Sequence, residues 1–399
     1  MRSWHGNQRF AGWLAAVLAA GVGVASVQAP AVAEMLARPE IGASLVLEAH
    51  SSIGRGVSFL LGKQLRDGSW SRHPVITSYA TLALANSRQD GDAELRGAID
   101  RAVQFVADQA QADGSIWNAQ TRQYSVYSTA ISVLSLIRIN RPNDTPRIRA
   151  ARAYLLSSQQ VDVPESDPGF GGFSPARGVA ADLTTTQWVL EALYLTDALD
   201  RAEPAASPEA VQRADTAYQR AMVFVSRCQQ MTMGAAAAGE PLLAPLGWFA
   251  DGTTPGATGA DVSGSTPRSI GFLTYAGLKS LLYARAPADD PCVVAAVAWA
   301  RQHYRTDANP GLGTVGLYTY LYTMVKALKA YELNMLWFET ALGVDWRREV
   351  VDRLLSLQHG TGEWLHSDPR WWETQPELVS AYALLTLEMV CGTGNRTED

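Results

Sequence analysis

One theme recurs six times along this chain, with a period of about 50 residues. An apolar segment ends near Gln. A turn rich in Asp, Gly and aromatic residues follows, and a second, more apolar segment then opens with Ser or Thr. Copy one shows it in full: Val57 to Gln64, then Asp67-Gly68-Ser69-Trp70, then Thr77-Ser78-Tyr79 running to Leu84. Copy two carries Asp113-Gly114-Ser115-Ile116-Trp117, and copy three carries Gln159-Gln160 and Gly169-Phe170-Gly171-Gly172-Phe173. Copy four has Gln229-Gln230 and a long loop from Met233 to about Pro267. Copy five is the most divergent, with Asn309-Pro310-Gly311-Leu312-Gly313, and copy six returns to type with Gln358, Gly362-Glu363-Trp364.

A repeat of this length with two helical segments cannot bury its apolar face alone, so the copies must stack. The second segments are apolar on nearly every side, as in Ala130-Ile131-Ser132-Val133-Leu134-Ser135-Leu136, and a helix apolar all round is buried. The first segments alternate apolar and charged positions. The expected fold is therefore all-α: one α/α toroid of six helix pairs, the second helices forming an inner ring and the first an outer ring. The turn Trp is expected to pack between adjacent copies, with the Gln bonding backbone near a helix end. A loop as long as that of copy four is either functional or disordered.

Residues 1–33 read as a secretory signal peptide. Arg2 and Arg9 precede an apolar run from Ala11 to about Val24, and Ala31-Val32-Ala33 sets a cleavage before Glu34. The run is shorter than a membrane span needs, and no later segment is long and apolar enough, so the expectation is an exported toroid over 34–399 with no transmembrane segment. Its 31 basic and 39 acidic residues give a net charge of −8. That excludes a basic footprint for nucleic acid. Of the three cysteines, Cys292 and Cys391 fall at one mouth of the ring and Cys228 at the other, so only Cys292–Cys391 could pair.

Gln64-x-x-Asp67-Gly68-Ser69-Trp70 and Gln358-x-x-x-Gly362-Glu363-Trp364 resemble the repeat of the squalene and oxidosqualene cyclases and of protein prenyltransferase β subunits. Four further stretches are similar to exported bacterial proteins with such repeats. They are Asp182-Leu183-Thr184-Thr185-Thr186-Gln187, Leu273 to Ser280, Asn309 to Gly313, and Leu378 to Leu385. The resemblance implies a toroid with a central apolar cavity and a ligand of isoprenoid kind. It does not carry the chemistry across. Class II cyclases protonate an alkene from an Asp-x-Asp-Asp-Thr-Ala motif, and here only Asp182 and one Thr survive. Prenyltransferases hold zinc with an Asp-x-Cys pair and a distant His. The same segment has Thr184 in place of the thiolate, and none of His50, His73, His303, His359 or His366 falls at an inner-helix start in the family's pattern, so no metal and no cofactor is expected. Asp182 is then either a helix cap or a catalytic acid.

All inner helices of such a ring point one way, so their N-termini share one mouth with the Trp-bearing turns. Arg72, Arg122, Arg177, Arg268 and Arg370 each precede an inner helix and are candidates for an anionic head group. Trp188, Tyr275, Tyr318 and Tyr322 are candidates to line the cavity, where aromatic faces can stabilise a cation. Three readings follow. The first is a toroid binding an apolar or anionic small molecule in its central cavity without the standard catalytic motif. The second is a divergent cyclase or isomerase using Asp182 as acid. The third is a carbohydrate-active enzyme pairing carboxylates among Asp182, Asp251, Asp261 and Glu373.

Overall fold

A computed structural model describes residues 41–87, 92–201, 207–230, 248–249, 270–333, 335–337 and 343–392. Among these are twelve long helices in six pairs. The outer members are α1 (Ala43–Lys63), α3 (Ala93–Ala107), α5 (Thr145–Ser157), α7 (Pro208–Cys228), α9 (Pro291–His303) and α11 (Trp346–Leu357). The inner members are α2 (Pro74–Asn86), α4 (Ser125–Ile139), α6 (Leu183–Leu195), α8 (Gly271–Tyr283), α10 (Leu317–Ala330) and α12 (Pro376–Cys391). Each inner helix packs on the next, and α12 returns to α2, so the inner ring is closed. The expected α/α toroid is what forms. The proposed signal segment, the loop of copy four outside Trp248–Phe249, and Arg268, Asp251 and Asp261 lie outside the described residues.

The sequence motif is a joint between copies, and each of its residues has a part. In copy one Asp67 accepts the N–H and hydroxyl of Ser69, which tightens the turn. The Trp70 indole N–H donates to Leu60 O at 2.8 Å, tying the turn to its own outer helix. The Trp70 backbone N–H donates to the Thr77 hydroxyl, and this is why the inner helix opens with Ser or Thr. Thr129, Thr186 and Ser380 do the same for Ile116, Phe173 and Trp364. The Gln64 amide then donates both to Gly68 O within the turn and to Ala98 O on α3, the outer helix of the next copy.

Gln159 repeats this toward Ala217, Gln229 toward Cys292, and Gln358 toward Ser52. The last of these crosses 306 residues of sequence and closes the outer ring between α11 and α1. Gly362 lies against the same seam at φ 99°, where a Cβ would stand 2.5 Å from Arg55 O. Packing follows the same offset: α3, α5 and α9 lie against the inner helix of the copy before them, and α1 lies against α12.

The inner helices are almost wholly buried. Several of their hydroxyls bond inside the helix, as Thr81 does on Thr77 O and Thr386 on Tyr382 O, and so enter an apolar interior at small cost; those of Ser78, Ser128, Ser132 and Thr323 have no partner among the described residues. The three thiols stand unpaired, and burial pushes Cys228 up to about 12 and Cys391 up to about 11.

The seam gives a direct test. Gly362→Ala forces a methyl group into a backbone carbonyl of another copy and should destabilise the protein by about 2 kcal/mol or more. Gln358→Ala removes four side-chain bonds, to Ser52, Arg55 and Gly362, and should lose about 1–3 kcal/mol. Urea denaturation followed by circular dichroism checks both, and an unchanged midpoint for Gly362→Ala would contradict the close approach.

Candidate functional site

The inner-helix N-termini gather at one mouth, as their shared direction requires, and two features decide what that mouth can do. The first is the ring axis. Tyr79, Trp188 and Tyr322 are each the sixth residue of alternate inner helices, α2, α6 and α10. Equal depth on alternating members of a six-membered ring brings side chains together at the centre. Trp188 stacks on Tyr322 at 5.7 Å, and Tyr79 meets Trp188 at 5.9 Å and Tyr322 at 6.1 Å. Tyr382 from α12 joins them, 4.8 Å from Tyr79 and 5.5 Å from Tyr322. These rings are at most 2% exposed, so no water-sized space adjoins them. The central cavity expected from the resemblance is filled at this level. Of the aromatic candidates, Trp188 and Tyr322 belong to the plug. Tyr275 instead pairs with Tyr320 at 5.8 Å, and Tyr318 lies toward the mouth beside His366.

A buried ion cluster lies one helical turn beyond the plug. Glu191 of α6 binds Lys279 of α8 at 2.9 Å and Lys326 of α10 at 2.5 Å. The Lys279 ammonium also sits 3.4 Å from the centre of the Trp188 ring, on the face that attracts cations. Burial pushes Glu191 up, but Lys279 and Lys326 outweigh it and hold the carboxyl below its usual range. Burial brings Lys279 down to about 7 against the pull of Glu191. Glu191 and Lys279 are each the one charged residue of an apolar helix and Lys326 is one of two in α10, and that was the signal available in the sequence for a partner across the ring.

The second feature is a strap across the mouth. Arg370-Trp371-Trp372-Glu373 precedes α12, and both Trp residues adopt left-handed backbone, at φ 53° and 61°. Such a conformation costs bulky residues on the order of 1 kcal/mol each and persists only where contacts hold it. Trp372 packs at 4.8 Å against His73, which caps α2, and at 5.2 Å against Tyr124, which precedes α4. Trp371 packs at 4.7 Å against Phe272 of α8 and covers the bare Cα of Gly316 before α10. In ring order α8 stands opposite α2 and α10 opposite α4, so the strap bridges facing sides.

Glu373 anchors the strap. Its carboxylate accepts the N–H and hydroxyl of Thr319 at 2.7 Å each, capping α10, whose own N-cap Gly316 has no side chain. Its other oxygen faces His366 at 3.2 Å. Burial pushes Glu373 up to about 7, against the two Thr319 bonds.

Four of the other inner helices are also capped by protein groups, while the Gln375 side chain at the start of α12 makes no capping bond. His73 accepts from Ile76 N–H, Asp182 from Thr185 N–H, Pro175 O from Val126 N–H, and Asn309 from Phe272 N–H. The helix-end N–H groups that would cradle an anion are thus partly engaged. The candidate arginines do not gather over them. Arg72 has an exposed side chain 3.9 Å from Asp67, Arg122 lies over Trp117, Arg177 lies over Tyr154 and bonds Ser157, and Arg370 lies over Trp371.

Asp182 caps α6 with both oxygens, Oδ1 taking the Thr185 N–H and Oδ2 the Thr185 hydroxyl. Burial outweighs these bonds and pushes it up to about 6. Among the described residues no three His, Cys, Asp or Glu side chains cluster as metal ligands, and no helix is long and apolar enough to cross a membrane.

No family model matches the chain, and no curated protein matches it. Solved structures do. The type II terpene cyclase MstE from Scytonema, ligand-free, is 13% identical with a TM-score of 0.54, covering 87% of this chain and 99% of that one. A variant of it in complex with the product merosterolic acid A is 14% identical with a TM-score of 0.53, covering 88% and 100%. Another, in complex with the substrate geranylgeranyl dihydroxybenzoate, is 14% identical with a TM-score of 0.52, covering 88% and 100%. At this identity the likeness is one of fold, the squalene-cyclase-like toroid.

Two outcomes follow from the charges. The Asp182 carboxyl titrates at about 6 in the fold against 3.8 in the unfolded chain. Its contribution to stability is complete below the unfolded value and lost as pH rises through the folded one. Asp182→Asn keeps a capping oxygen and no charge, so it should exceed the parent in stability at pH 8, by on the order of 2 kcal/mol. The difference should vanish below the unfolded value, as read by urea denaturation across pH. Glu191→Gln leaves two buried ammonium groups without a counter-charge and should lose about 3–5 kcal/mol in the same assay.

Proposed function

We propose that this protein is a binding toroid, one that holds a small molecule at its Trp-turn mouth and performs no cyclisation at its centre. One observation carries the reading: four aromatic side chains from α2, α6, α10 and α12 meet on the ring axis, where a cyclase needs room for a folded polyprenyl chain. MstE is described as a terpene cyclase and is seen with a geranylgeranyl substrate. A tail of that length needs a continuous apolar bore, and here the bore is core. The surviving family acid, Asp182, spends both oxygens on Thr185 as a cap. Export through cleavage before Glu34 belongs to the same reading and rests on Arg2, Arg9 and the Ala31-Val32-Ala33 pattern.

A second reading is supported by Asp182 itself, whose elevated titration near 6 gives a partly buried acid beside Tyr127. One experiment separates the two. Purified protein is incubated with squalene, geranylgeranyl diphosphate and geranylgeranyl dihydroxybenzoate, and products are sought by mass spectrometry. The binding reading expects no product from the parent or from Asp182→Asn. Any product lost in Asp182→Asn establishes the cyclase. Native mass spectrometry of the exported protein, expected to begin at Glu34, reads the cleavage point and any retained small molecule together.

A further inference from the structure

The mouth carries a cleft of about 320 Å³ between the first and second turns and the strap. Its walls include Trp372, Tyr124 and His73, with the amides of Gln120, Gln123 and Gln375 around them. We infer that this cleft is a subsite for a neutral sugar ring, a pyranose held against Trp372 and hydrogen-bonded by the three glutamine amides. The inference rests on the reading of the mouth as the binding end, and it names the ligand class.

Three observations lead there. Among the described residues no Lys, Arg, Asp or Glu lines the cleft, so they offer an anion no partner and a cation none. Burial brings His73 down to about 4, and its Nδ1 accepts the Ile76 N–H, so the ring is neutral with its proton on Nε2. Free polar groups converge on the cleft. Among the described residues, neither the three amides, nor the Trp372 indole N–H, nor the Tyr124 hydroxyl has a hydrogen-bond partner. Each amide both donates and accepts, as a polyol requires. An apolar tail would leave these groups unpaired and strip them of water.

The third observation is the angle between the aromatic walls. His73 stands at 69° and Tyr124 at 85° to Trp372. Walls that meet at a corner cannot sandwich a flat heteroaromatic ring, which wants parallel faces. A chair-shaped ring fits a corner: its C–H face lies on one wall and its rim of hydroxyls meets the amides. The indole N–H at the edge of Trp372 adds a donor beside the stacking surface. This mixture of a few apolar faces with several placed polar groups is the general composition of a small-molecule site.

The test is calorimetric titration and ligand-observed NMR on the whole mature protein. The probes are methyl β-glucoside, N-acetylglucosamine and their β-1,4-linked dimers, with adenosine, inorganic pyrophosphate and geraniol run in parallel. The expected result is saturable binding of at least one sugar. Trp372→Ala should weaken it about tenfold, and Gln120→Ala or Gln123→Ala by about threefold each. The two glutamines are exposed and make no contact the fold needs, so they keep the test valid if Trp372→Ala unfolds the strap.

Sugar binding unaffected by both glutamine variants would overturn the location. Saturable binding of pyrophosphate, geraniol or adenosine that depends on Gln123, with no sugar bound, would overturn the sugar class and leave the mouth as the binding end. Failure of every probe would overturn the subsite and remove support from the binding reading as well.

Discussion

The ring hangs on one joint, made at copies one, three, four and six: a glutamine amide that bonds the outer helix of the following copy. A single helix pair of this kind exposes an apolar face on both sides. The joint supplies the direction in which that face is covered, always by the next copy, and a carbonyl-sized gap filled by glycine sets the spacing. Each bond is worth only about 1 kcal/mol net. Its importance is geometric, because the same offset applied at each copy brings α12 back onto α2 and Gln358 onto Ser52. Had the offset been slightly larger or smaller, the helices would have wound into an open solenoid.

The ring was legible in the sequence because its determinants are local and repeated. Gln64, Gly68 and Trp70 announce the turn, and the Ser or Thr at the start of each inner helix announces the docking of that turn. The centre was less legible, since it is set by coincidence of depth. Tyr79, Trp188 and Tyr322 read singly as core or as cavity lining, and only equal register on alternate helices shows that they meet. Glu191, Lys279 and Lys326 are hidden for a related reason: scattered charges in apolar helices look unrelated until the ring closes. The strap was hidden differently. Trp371 and Trp372 fall in the turn where an aromatic residue is expected, and nothing local reveals that both take left-handed backbone and reach across the mouth.

The arginine pattern shows the opposite case, a regularity in sequence without convergence in space. Arg72, Arg122 and Arg177 recur because the turn recurs, and each is engaged within its own repeat. The inner-helix ends are served by protein caps, among them Asp182 and Glu373. With most of those first turns already answered, what the cleft beside the strap still presents is neutral: aromatic edges and amides. A buried charge cluster lies further in, at Glu191, where it joins three inner helices.

The order in which the chain is made gives the seam a further meaning. Helix α1 is synthesised first, yet its neighbours in the finished ring, α11 and α12, are synthesised last. Until they emerge, Ala49, Ile53, Val57 and Leu60 have only their own copy to pack against. The earliest part of the protein must therefore wait for the latest, and a partly made chain is an open arc with two unsatisfied ends. Contacts so distant in sequence form slowly. A toroid of this design stays competent for unfolded handling through most of its synthesis and becomes resistant only when its final copy locks the first.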